Sequence, residues 1–223
     1  MGSYLMGIDA GNTSSKVVIF DLKGTIISTA ATPSMHFKRR GEGFEEFDVD
    51  QLWSLISDCL KEAVEKANIS AEEIKGIGVT SFGNGVVFVG KNGETIAPGC
   101  FSQDYRANDI IDLYKKEGSY NKINNIVKGT LFAGEPGPIL RWYKEHDREV
   151  YDKIGGVLMF KDYIMFKLTD VFATDLNVFG GSFMVDMDTM EYSKELLELY
   201  GIEELYDALP KLASEPTEIV GYV

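Results

Sequence analysis

Two cysteines and two histidines are all the thiols and imidazoles that 223 residues hold. Cys59 and Cys100 make no C-x-x-C pair and no disulfide framework, which points to a reducing compartment. His36 and His146 stand in no H-x-x-x-H or Cys/His array, so no zinc site is expected. Basic residues are scarce as well: 22 Lys and Arg against 35 Asp and Glu give a net charge of −13. Nucleic acids and anionic membranes are held by basic patches, so neither is an expected partner. The one basic run, Lys38-Arg39-Arg40, is followed by Glu42, Glu45 and Glu46 and reads as a solvated loop. No apolar run reaches bilayer-spanning length and no signal-peptide pattern opens the chain, so a cytoplasmic location is the expectation.

Familiar catalytic motifs are missing too. There is no G-x-x-x-x-G-K-[ST], no G-x-S-x-G, no H-E-x-x-H and no EF-hand loop. Gly76-Ile77-Gly78-Val79-Thr80-Ser81 starts like a dinucleotide fingerprint but has Ser81 in place of the third glycine. It also precedes another strand where the fingerprint would open a helix.

What is present begins with Tyr4–Asp9, Lys16–Asp21 and Thr25–Ala31, three apolar runs read as strands, with Leu22-Lys23-Gly24 as a tight turn. The turn between the first two, Gly11-Asn12-Thr13-Ser14, is rich in backbone N–H groups and hydroxyls that could wrap a phosphate. Asp9 at the strand end is placed to hold Mg²⁺ beside it. A plain β-hairpin with a polar tip fits the same residues.

Residues 34–47 are charged and aperiodic, an expected loop. Asp48 then caps an amphipathic helix, with Gln51 in the capping-box position and Leu52, Leu55, Ile56, Cys59, Leu60, Ala63 and Ala67 on its apolar face. Strands are expected at Ile74–Thr80, Val86–Val89 and, after an Asn92-Gly93 turn, Glu94–Ala97. Helices are expected from Asp104 to Glu117, Pro138 to Glu145 and Tyr163 to Leu168. A further one is capped by Ser193 and ends at Gly201. Residues 119–135 give no clear pattern. The class is α/β. Three antiparallel-compatible strands ahead of the first helix suit a ribonuclease-H-like or actin-like mixed sheet with flanking helices, not a doubly wound dinucleotide fold.

Four stretches, in order, resemble the N-terminal lobe of the FGGY family of carbohydrate kinases. They are Gly7-Ile8-Asp9-Ala10-Gly11-Asn12-Thr13-Ser14-Ser15-Lys16, Ile77-Gly78-Val79-Thr80-Ser81-Phe82-Gly83-Asn84-Gly85 and Ser102-Gln103-Asp104-Tyr105-Arg106-Ala107. The fourth runs from Phe160-Lys161-Asp162-Tyr163 through Leu168-Thr169 to Ala173-Thr174-Asp175 and Gly181-Ser182. Thr130-Leu131-Phe132 and Arg141–His146 are more similar to the xylulose and L-xylulose kinase branch than to glycerol kinase.

The resemblance implies a two-lobed, actin-like enzyme that transfers the γ-phosphoryl group of ATP, with Mg²⁺, to a hydroxyl of a sugar such as xylulose or L-xylulose. It implies Asp175 as catalytic base and Asn84, Asp104 and Arg106 as sugar contacts. Gly11, Asn12, Thr13, Ser14 and Lys16 would lie on the ATP phosphates, and Asp9 on the metal. Lys16 stands where the family often has arginine, keeping the charge without the bidentate fork. Asp175 and Asp104 could each serve only as helix caps, and Arg106 only as an ion-pair partner.

Residues 1–223 would be the sugar-binding, catalytic-base lobe. Its own C-terminal lobe, which carries the adenosine pocket, would be the missing partner, so this fragment alone is expected to be inactive. A homodimer is compatible with the sequence. An actin- or chaperone-like nucleotide switch and a non-catalytic sugar-sensing lobe are the alternatives. Ser102 and Asp170 depart from the family's usual tryptophan and glycine, leaving the particular sugar open.

Overall fold

A computed structural model describes residues 2–33, 41–213, 215 and 218–223. His36 and the Lys38-Arg39-Arg40 run, read above as part of a solvated loop, lie outside the described residues. In chain order the elements are β1 (Tyr4–Ala10), β2 (Ser15–Asp21), β3 (Ile26–Ala31), β4 (Glu46–Phe47), α1 (Val49–Ala67) and β5 (Ile74–Ser81). Next come β6 (Val87–Val89), β7 (Gly99–Cys100), α2 (Asn108–Glu117), α3 (Tyr120–Val127), α4 (Pro136–His146) and α5 (Arg148–Tyr151). The chain continues through β8 (Gly156–Leu158), α6 (Phe160–Thr169), β9 (Ala173–Thr174), α7 (Leu176–Gly181), α8 (Lys194–Tyr200) and β10 (Lys211–Leu212). They divide into two compact units, residues 1–36 with 48–82, and residues 37–47 with 83–223.

The first unit is a four-stranded mixed sheet in the order β3-β2-β1-β5. β1 pairs antiparallel with β2 and parallel with β5, α1 supplying the crossover. Alternation decides which face is buried: Met6, Ile8 and Ala10 on β1 and Val17 and Ile19 on β2 point inward, while Asp9 and Lys16 are exposed. The inward row belongs with the apolar stripe of α1, whose Leu52, Ile56, Cys59 and Ala63 are buried. Ser28 Oγ on β3 donates to the Ala63 carbonyl at 2.7 Å, tying sheet to helix. Asp48 caps α1 as expected, accepting from Gln51 N at 2.9 Å, and Asn68 closes the far end in the left-handed conformation at φ 51°.

The second unit has a larger helical core around short two-stranded ladders, β4–β7, β6–β8 and β9–β10. Phe88, Tyr114, Ile139, Leu140, Tyr143, Phe179 and Tyr200 are buried in that core. Several expectations shift here. The Asn92-Gly93 turn forms, with Gly93 at φ 79°, but among the described residues those after it give one bridge, Val89 to Thr95, in place of a strand. α2 starts at Asn108 because Asp104 turns back on Arg106 in place of capping a helix. Pro136 opens α4 two residues before the expected Pro138, since proline at a first helical position has no N–H to lose. Part of the unpatterned stretch is α3, eight residues with Ile123 and Val127 buried. No helix among the described residues is long and apolar enough to cross a membrane.

Candidate active site

In the first unit the hairpin between β1 and β2 carries the expected phosphate loop. Asp9 lies opposite Lys16 on β2 and beside Thr80 on β5, so three strands fix its position. The loop base is pinned: Ser15 N donates to Thr32 Oγ1 at 2.8 Å, and Thr32 N to the Ser15 carbonyl at 2.9 Å. A Cβ on Gly11 would sit 3.0 Å from the Ser14 carbonyl, which explains a glycine at the tight point. Among the described residues, the N–H groups of Asn12, Thr13 and Ser14 donate to no backbone carbonyl in this turn. Asn12 Oδ1 is a buried acceptor with no partner among them.

These groups suit a metal–phosphate ligand. Thr13 and Lys16 are exposed and offer a hydroxyl and an ammonium, and the open backbone N–H groups suit anionic oxygens. Among the described residues no three His, Cys, Asp or Glu side chains cluster as a metal cage. A Mg²⁺ ion is commonly held by one or two carboxylates together with substrate phosphates and water, and Asp9 offers an exposed carboxylate beside this turn.

In the second unit, Asn84 adopts φ 58° and Gly85 φ 75°. A Cβ on Gly85 would run into the Cys100 carbonyl, so only glycine fits. The turn leaves Asn84 half-buried with its carboxamide engaged at both ends. Its Nδ2 donates to Glu135 Oε1 at 2.9 Å, and its Oδ1 accepts from Ser182 Oγ at 3.2 Å. Glu135 is fully buried, its Oε2 has no partner among the described residues, and burial pushes its carboxyl up to about 8.

Asp104 and Arg106 meet each other and not solvent. Arg106 Nε and Nη2 bind the two oxygens of Asp104 at 2.9 and 2.7 Å, and Nη2 also reaches Glu46 at 2.8 Å. Nη1 donates to Tyr143 Oη at 3.0 Å, and the guanidinium lies over the Phe44 ring at 4.3 Å. Asp104 Oδ2 further accepts from Glu45 N at 2.9 Å. Both side chains are 0% exposed. Asp104 and Arg106, expected as sugar contacts, here form a buried pin holding residues 43–46 against 101–106. Burial opposes the charge of Arg106, but its hydrogen bonds to Asp104 outweigh that and hold its pKa above the ordinary value. The same burial pushes the Cys100 thiol up to about 12, leaving it unreactive.

Asp175 is the N-cap of α7. Its Oδ1 accepts from Asn177 N at 2.9 Å and Val178 N at 3.2 Å, while Oδ2 accepts from Lys161 Nζ at 2.5 Å. A carboxylate has about four lone-pair sites, so three are occupied. To accept a substrate proton it would use the remaining one or release Lys161. Lys161 is also 3.3 Å from Asp162 Oδ1, and Asp162 Oδ2 accepts from Met159 N and Thr174 Oγ1. Burial raises Asp162 to about 6, against the opposing pull of Lys161. The geometry thus meets the capping alternative for Asp175 in full and gives no independent support to the base assignment.

Three participants escaped sequence reasoning. Glu135 lies in the unpatterned 119–135 stretch and shows itself only through contacts with residues far along the chain. Glu46 follows the charged 38–45 stretch and looks in sequence like another solvated acid, yet it is buried against Arg106. Lys161 carries no role in the motif taken by itself, and only the fold brings it to Asp162 and Asp175 together.

The chain resembles known proteins along nearly its whole length. The profile of the FGGY family of carbohydrate kinases, N-terminal domain, matches residues 4–223. A probable L-xylulose kinase from Haemophilus influenzae is 34% identical over 221 residues, covering 99% of this chain and 45% of its own length. The L-xylulose/3-keto-L-gulonate kinase of Escherichia coli is 30% identical over 223 residues, covering 100% of this chain and 44% of its own. The crystal structure of gluconate kinase from Lactobacillus acidophilus superposes with a TM-score of 0.88 at 23% identity, covering 99% of this chain and 43% of that one. The fold is thus the mixed-sheet, actin-like fold of sugar kinases. The chain spans about 45% of the length of the curated relatives it matches.

Proposed function

Since this chain belongs to the FGGY family of carbohydrate kinases, we propose that it supplies the phosphate loop and part of the sugar-facing surface of an ATP-dependent kinase acting on a ketopentose, with L-xylulose as the first substrate to try. The observation that carries the reading is the β1–β2 hairpin. It sets a carboxylate, an ammonium, a hydroxyl and open backbone N–H groups on adjacent rigid strands. The identity to two proteins named as L-xylulose kinases favours a ketopentose over glycerol.

Asp9 would hold Mg²⁺, and Thr13, Lys16 and the 12–14 backbone would hold the phosphates. Bound MgATP supplies the γ-phosphoryl group and neutralises part of its charge. Phosphoryl transfer asks little covalent chemistry of the protein, so the work of these residues is alignment and charge stabilisation. On the sugar side, Asn84 keeps one amide N–H and one lone pair after its bonds to Glu135 and Ser182, a donor–acceptor pair suited to a hydroxyl. Asp175 and Ser182 bracket α7, a six-residue helix about 9 Å long. Asp175 thereby serves as an anchor for the helix that carries Ser182 to Asn84.

The test uses the full-length protein in an ADP-release assay with L-xylulose, D-xylulose, gluconate and glycerol. The expected outcome is sugar-dependent turnover with the highest kcat/KM on L-xylulose. ATP hydrolysis indifferent to every sugar would instead favour the nucleotide-switch reading.

A further inference from the structure

A fully buried glutamate with one oxygen left over is an odd occupant for a core position. The groups around Glu135 make it odder. Its neighbour Gly134 is packed so closely on the Ser102 carbonyl that a Cβ would clash, and Gly137 meets the Tyr200 ring in the same way. Tyr200, whose pKa is raised by its burial first and by Tyr114 and Glu135 after that, spends its hydroxyl on the Phe183 carbonyl at 2.8 Å. Among the described residues, the side chain that hydrogen bonds with Glu135 is Asn84, 51 residues earlier.

The pattern of donors decides which way round the carboxamide lies. Ser182 can donate only to Oδ1 of Asn84, which leaves Nδ2 to donate to Glu135. A leucine in place of Glu135 would fill the space but let the amide rotate or flip. Asn84 also sits in the left-handed region, where its backbone is costly and is fixed by the flanking Gly85. Both backbone and side chain are thus held in one setting.

We propose that Glu135 is a positioning residue: clamping Nδ2 of Asn84 while Ser182 holds Oδ1, it presents the remaining amide N–H and lone pair in one fixed orientation to the sugar. The inference rests on the reading of Asn84 as a sugar contact. In this setting Glu135 keeps its proton at neutral pH, so a glutamine can stand in for it, accepting from Asn84 through Oε1 and replacing the acid O–H with an amide N–H.

The experiment uses the full-length protein and L-xylulose. Glu135→Gln is expected to keep KM and kcat within about threefold of the parent. Glu135→Leu is expected to raise KM about tenfold or more with kcat within about threefold, and adding Asn84→Ala to it should change KM little further, since the two residues act as one unit. An unchanged KM in Glu135→Leu, or additive effects of the two substitutions, overturns the proposal. A sugar-independent readout separates this from failure of the kinase reading. In ¹H–¹⁵N spectra the Asn84 side-chain NH₂ should be protected from exchange in the parent and Glu135→Gln, and unprotected in Glu135→Leu. Rapid exchange in the parent overturns the clamp whatever sugar is turned over. A protected amide with no turnover of L-xylulose, D-xylulose, gluconate or glycerol leaves the clamp standing and overturns its link to sugar.

Discussion

Lys161 Nζ lies 2.5 Å from Asp175 Oδ2 and 3.3 Å from Asp162 Oδ1, so one nearly buried ammonium serves two carboxylates thirteen residues apart in the chain. Removing it strands both. Lys161→Met should therefore destabilise the fold by about 3 kcal/mol, the low end for breaking a buried ion pair. Urea unfolding at neutral pH measures this, and a midpoint equal to the parent's would show that the pair contributes nothing.

Asp175 separates anchoring from chemistry through a conservative change. Asparagine caps a helix about as well as aspartate, and Asp162 still faces Lys161 when the Asp175 charge is gone. Asp175→Asn should therefore cost less than Asp175→Ala, which in addition loses the cap, about 1–2 kcal/mol more. In the full-length protein the anchor role predicts that Asp175→Asn keeps turnover within about tenfold. A loss of about 10³-fold or more with unchanged stability would return the proton-acceptor role to Asp175.

Arg106 tests the buried pin. Its fork meets both oxygens of Asp104 and one of Glu46. Lysine retains the charge but cannot span these partners. Arg106→Lys is expected to lower stability by about 2 kcal/mol, and Arg106→Met by about 3–5 kcal/mol because two buried carboxylates lose their cation. If the pair touched sugar directly, Arg106→Lys would raise sugar KM with little loss of stability, the reverse split.

Glu135 and Asp162 make stability fall as pH rises. Burial lifts Glu135 from 4.5 to about 8, and Asp162 from 3.8 to about 6. Between each ordinary and raised value the folded state holds a proton that the unfolded chain has released. Unfolding thus sheds protons, and the Glu135 contribution to stability declines by up to about 1.4 kcal/mol per pH unit between pH 4.5 and 8. It is flat below and above that window. Urea midpoints at several pH values should show the decline, and Glu135→Gln should flatten the part above pH 6. An identical slope in the variant would exclude Glu135 as its source.

The parts of the fold legible in the sequence are those set by local pattern. α1 declared itself through Asp48 and its apolar stripe, and β1, β2 and β5 through alternation around short polar turns. The two-residue ladders β4–β7 and β9–β10 have no period to read. The placing of Glu46 depends on Arg106, 60 residues later, and that of Glu135 on Asn84. The site followed the same division. Asp9, Thr13 and Lys16 share one hairpin and could be read together, whereas the clamp on Asn84 draws on three separated segments. Asp104 and Arg106 have the composition of a polar recognition fork. Only the aromatic shelter of Phe44, Trp142 and Tyr143 reveals that they face inward.

The register of the first sheet also bears on how the molecule is assembled. β1 meets β2 across a four-residue turn, but its parallel partner β5 begins at Ile74, opposite Tyr4. Local hairpins close in microseconds, whereas pairings that enclose long stretches of chain are slow. The loop bearing Thr13 and Lys16 should therefore take shape early, within the β1–β2–β3 meander. The strand that brings Thr80 alongside Asp9 can dock only once α1 has folded between them. Substitutions in the apolar stripe of α1, far from any ligand, should then slow folding by delaying the last wall of the phosphate site.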